Sequence, residues 1–71
     1  MYIATAAGKQ RAVVRDIRGM GFIADPVTGK YDVIAVVTGR DLYAVTGITD
    51  KIYKLDGVTS GETGLAVSSE Y

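Results

Sequence analysis

Val33-Ile34-Ala35-Val36-Val37 is the longest uninterrupted apolar run in this 71-residue chain. Four of its five residues are β-branched, a type whose restricted χ1 suits a pleated strand. A strand with one wetted face alternates apolar and polar side chains, and this run does not. Read as a strand, it demands cover on both sides. That demand sets the expected fold class: mainly β, a small antiparallel barrel or compact sandwich of about five short strands.

The residues before the run support a hairpin. Phe22-Ile23-Ala24 leads into Asp25-Pro26-Val27-Thr28-Gly29-Lys30, and the chain returns as Tyr31 to Val37. Proline presets φ at the first inner turn position, the Asp25 carboxylate can cap the turn, and Gly29 can take positive φ. After the run, Thr38-Gly39-Arg40 turns the chain into Leu42 to Thr46, which reads as a strand ended by Gly47. Lys51 to Leu55 reads as a further strand, because Ile52 points one way and Tyr53 and Leu55 the other. Asp56-Gly57 is a strong turn dipeptide.

Tyr2 to Ala6 can form a first strand. Residues 9–18 admit two readings. As a helix they gather Gln10, Val13, Val14 and Ile17 on one side and Arg11, Arg15 and Arg18 on the other, with Gly19 as a C-terminal stop. Against the helix stand its shortness, the adjacent Val13-Val14 pair and Gly8 at its start. The strand is preferred because everything after it reads as β. The alternative is an α+β fold in which this helix packs on a sheet.

Length permits one domain, residues 1–71, with a small core. Residues 57–71 form a polar, Gly/Ser/Thr-rich tail in which Leu65-Ala66-Val67 can add a last short strand. A weak echo between residues 32–39 and 41–47 is what apolar segments ending in Thr-Gly produce in any β protein, and two copies make no solenoid. With neither cysteine nor histidine, the strong ligands of zinc, copper and iron are missing, leaving only oxygen-ligand sites for Ca²⁺ or Mg²⁺. No window matches a calcium loop. No apolar run is long enough to span a bilayer, and the first twenty residues lack a secretory pattern. A soluble, cytoplasmic protein is the default expectation.

Chemistry is poorly provided for. A nucleophile needs a base near neutral pH, and without histidine only Lys or a carboxylate of shifted pKa could serve. The Asp and Lys residues fall almost wholly in or beside turns, where capping and solvation explain them. Gly19-Met20-Gly21 with Ala24 imitates a dinucleotide fingerprint but has a hairpin where a helix must follow. Gly29-Lys30-Tyr31 puts Tyr where a phosphate loop needs Ser or Thr. No catalytic, cofactor or metal residue is assigned, and the chain is expected not to be an enzyme.

Charge is the remaining signal. Net charge is zero, yet residues 1–20 hold Lys9, Arg11, Arg15 and Arg18 against Asp16 alone, and the rest carries the compensating negative excess. Arginine pairs bidentately with phosphate, so these four are candidate phosphate or partner contacts. Tyr31, Tyr43 and Tyr53 are candidate interface residues, able to stack on unpaired bases or fill a protein interface. The leading expectation is a non-enzymatic structural or protein–protein interaction subunit, self-associating within a larger assembly by strand addition at a sheet edge. The alternative is a small nucleic-acid-binding regulatory protein using the N-terminal arginine patch. A dedicated nucleic-acid binder usually carries more positive charge overall.

Overall fold

The computed structural model describes residues 1–64. The elements run β1 (Tyr2–Thr5), α1 (Gln10–Gly19), β2 (Ile23–Pro26), β3 (Val33–Val36), α2 (Leu42–Tyr53) and β4 (Val58–Glu62). The strands form a single sheet in the order β2-β3-β1-β4, every neighbouring pair antiparallel. This is a β-α-β-β-α-β arrangement in which β3 lies between β1 and β2, the split β-α-β pattern.

The barrel or sandwich expectation is thereby corrected: the fold is α+β with an open four-stranded sheet, not a small all-β protein. The error lies in the apolar run itself. Val33 and Ala35 are fully buried, whereas Ile34 is 36% and Val36 50% exposed. One face of β3 is covered by helices and the other is open, although the residue types do not alternate.

The helix over residues 9–18, the alternative reading, is what forms. Val13, Val14 and Ile17 are buried on its inner side and the arginines face out. The shortness of α1 is offset by its packing on the sheet, which supplies most helix stability in proteins. Its stop is Gly21 (φ +91°) rather than Gly19. The Gly21 amide donates to the Arg18 carbonyl and the Phe22 amide to that of Ile17, the paired bonds of a Schellman motif.

The two strands expected at Leu42–Thr46 and Lys51–Leu55 are a single helix, α2. Asp41 caps it, its Oδ1 accepting from the Ala44 amide at 2.9 Å. Half-buried Val45 and Ile48 recur with buried Thr49 and Ile52 at helical spacing, and Gly47 sits on the exposed side without breaking the helix. A hairpin joins β2 to β3, with Ile23 to Pro26 paired with Val36 to Val33, but its loop lies further along than expected. Asp25 and Pro26 belong to the strand, the Asp25 carboxylate meets Arg18 instead of capping a turn, and residues 27–32 make the connection, with Gly29 at positive φ. Asp56-Gly57 turns the chain from α2 into β4, with Gly57 at φ +95°. The start of the presumed tail is therefore a strand, β4, while the strand expected at Leu65–Val67 lies outside the described residues.

The core is one layer between helices and sheet. Ile3, Val13, Ile17, Val33 and Ile52 are its largest fully buried side chains, joined by Val14, Ala24 and Ala35. Gly61 on β4 lets the Tyr53 ring close over the strand: a Cβ there would stand 2.8 Å from that ring and from the Tyr2 carbonyl oxygen.

Candidate functional site: an arginine groove beside an edge strand

Residues 11, 15 and 18 are spaced by four and three, which places them on one side of a helix with their Cα atoms about 6 and 4.5 Å apart along its axis. Because Val13 and Ile17 bury the opposite stripe, with Val14 buried at its boundary, the three guanidinium groups are held in solvent. They line, with Val14 and Pro26, an open groove of about 400 Å³ between α1 and the edge strand β2.

The three arginines are not equivalent. Arg18 is anchored: its Nε donates to the Ala24 carbonyl at 2.9 Å and its Nη2 to Asp25 Oδ1 at 3.2 Å. That ion pair is more than half exposed and adds little to stability. Its structural effect is to occupy a carbonyl of the β2 edge, while Pro26 offers no N–H there. The β2 edge is thus poorly suited to strand addition. Arg11 and Arg15 pair with no carboxylate among the described residues. They are the free charge of the site.

Lys9 does not join them. Its Nζ donates to Asp56 Oδ2 at 3.1 Å, tying the start of α1 to the turn before β4. Gln10 secures the other side, its Nε2 donating to the carbonyls of Val27 and Asp32 at 3.1 and 2.7 Å. The helix that carries the arginines is therefore fastened to the hairpin loop at one end and to the β2 edge at the other.

The tyrosines divide between α2 and the β4 end of the sheet. Tyr43 is 90% exposed in the first turn of α2. Tyr53 packs on β4, and its hydroxyl lies 2.7 Å from Thr63 Oγ1. Tyr31 stands at the hairpin with its ring 5.8 Å from that of Tyr2 and under the Lys30 ammonium. Tyr31 and Tyr53 thus lie on the sheet side near Glu62, and Tyr43 stands apart on α2.

What sequence reading missed is the open sheet face. Tyr2 on β1 lies opposite Ile34 on β3, Ile34 opposite Asp25 on β2, and Val36 opposite Ile23. Tyr2, Ile23, Ile34 and Val36 are all exposed. Asp25 and Glu62 close the row at the two sheet edges. The signal was present in the alternation hidden inside the apolar run, and only the sheet topology resolves it.

Among the described residues no group of three or more Asp or Glu side chains is placed to hold a metal ion, and no helix is long and apolar enough to cross a membrane. No protein-family model and no curated protein matches the chain.

Proposed function

We propose that this chain is a small, non-enzymatic regulatory module that binds nucleic acid, with Arg11 and Arg15 on backbone phosphates and Arg18 as their anchored neighbour. The observation that carries the reading is the gathering of three guanidinium groups about one groove, two of them without an acidic partner among the described residues. Guanidinium donors match phosphate oxygens in geometry and stay charged at any physiological pH. The proposal takes the protein to act in the cytoplasm. Neutral overall charge limits the contact to a short stretch, since the acidic turns repel a long duplex.

Fluorescence anisotropy with a labelled single-stranded oligonucleotide tests this. Two phosphate contacts give a slope of log affinity against log salt of about −1.4, or roughly a tenfold loss between 50 and 300 mM. Arg15→Glu, a surface change, removes one contact and adds repulsion, so binding falls by about tenfold or more. Salt-independent binding, or unchanged binding by the variant, refutes the proposal.

A second reading rests on a separate observation. An apolar row of Tyr2, Ile23, Ile34 and Val36 on a helix-free sheet face suits a self-associating interaction subunit, the partner being a second copy of the chain. The two readings are compatible, because face and groove lie on different sides of the molecule. Light scattering at micromolar concentration decides this one: a strict monomer ends it.

A further inference from the structure

The groove is more than a cluster of charge. Its walls are arginines, but the exposed Pro26 ring supplies an apolar shelf beside them, Val14 being buried, and its volume of about 400 Å³ is on the scale of a small-molecule site. A bare phosphate would use the guanidinium groups and leave the shelf wet. A ligand joining a phosphate to a flat, weakly polar body would use both. Arg18 is held in place by Ala24 and Asp25 before any ligand arrives, so little side-chain freedom is lost when its remaining N–H groups or its planar face meet that body.

We infer that the α1/β2 groove takes one nucleotide unit, its phosphate on Arg11 and Arg15 and its base or sugar against the Pro26 ring. The inference rests on the phosphate-binding reading above and deepens it by naming the unit recognised. That unit has two possible sources, a free nucleoside monophosphate or an unpaired nucleotide within a strand. Both present the same chemistry to the groove.

The test measures binding of thymidine 5′-monophosphate, inorganic phosphate and a ten-residue oligothymidylate to the full chain. Wild type, Arg15→Glu and Pro26→Ser are compared. Pro26 is exposed on an edge strand, and circular dichroism verifies that the variant folds. Losing the proline ring from the shelf weakens the nucleotide ligands about fivefold and leaves inorganic phosphate unchanged. Competition between thymidine monophosphate and the oligonucleotide identifies the free nucleotide as a ligand. A Pro26-sensitive oligonucleotide without such competition assigns the site to a strand; both results support the inference. If Arg15-dependent binding survives but Pro26→Ser changes nothing, and thymidine monophosphate binds no better than phosphate, the nucleotide inference falls while the phosphate reading stands. If no Arg15-dependent binding is found, both fall.

Discussion

Replacing Val33 and, separately, Val36 by threonine isolates the feature on which the architecture turns. The two valines share a strand and are fully buried and half exposed, respectively. Val→Thr keeps shape and volume nearly constant and exchanges a methyl group for a hydroxyl. At Val33 the hydroxyl enters a layer lined by Ile3, Val13 and Ile17, with a cost of about 1–3 kcal/mol for an unsatisfied buried polar group. At Val36 it stands in water, and the change is within about 0.5 kcal/mol. Total stability for a domain of this size is on the order of 4–10 kcal/mol, so the buried substitution removes a substantial part of it. In urea unfolding followed by circular dichroism, a slope of about 1 kcal/mol/M converts the Val33→Thr loss into a midpoint shift of roughly 1–3 M. Val36→Thr shifts it by about 0.5 M or less. Equal shifts at low protein concentration would mean that both faces of β3 are covered, and the open sheet would be refuted.

Three further outcomes can be checked. Gly47→Ala stabilises the protein by about 0.5–1 kcal/mol, because Gly47 lies on the exposed side of α2 with open space where a Cβ would stand; a loss of stability by the same urea assay would contradict the α2 assignment. Gly57→Ala destabilises by more than about 1 kcal/mol, since its φ of +95° disfavours a side chain and a Cβ would come within 2.6 Å of Lys9 Cβ; a neutral result would show that the α2–β4 turn is built differently. Desolvation, followed by a hydrogen bond and charge from Glu62, raises the Tyr31 phenol above its usual pKa. The folded state thus keeps that proton longer than the unfolded chain, and the associated stability is present below about pH 10 and lost as pH rises through the folded value. Ultraviolet titration of Glu62→Gln should find Tyr31 titrating at lower pH than in the parent; no change would remove Glu62 from the cause.

The sequence was most legible where local chemistry and periodicity agree. Gly29 marks the hairpin loop and Asp56-Gly57 the later turn, both glycines at positive φ, although Asp25-Pro26 proves to end β2 and not to form the turn itself. The two sides of α1 were also readable, with Val13, Val14 and Ile17 set against Arg11, Arg15 and Arg18. The preference for a strand there came from the neighbours, and the neighbours had been misread. In α2, Gly47 and the branched residues around it suggested two strands, although Asp41 at the cap and the recurrence of Val45, Ile48 and Ile52 describe a helix. Tertiary packing outweighed intrinsic propensity. The candidate site was legible as a set of arginines but not as a groove. Pro26, its other wall, comes from a strand eight residues beyond Arg18, and the separation of Lys9 depends on Asp56, far along the chain. Such groupings exist only once the sheet order is known.

Amide chemical-shift mapping on ¹⁵N-labelled protein, titrated with the oligothymidylate, tests the functional account most directly. The account predicts that the resonances of Arg11, Val14, Arg15 and Arg18 move, together with Asp25 and Val27 on either side of Pro26, while Tyr2, Ile34 and Val36 stay in place. Shifts confined to those three sheet residues, with α1 unmoved, would contradict it and assign binding to the open face instead.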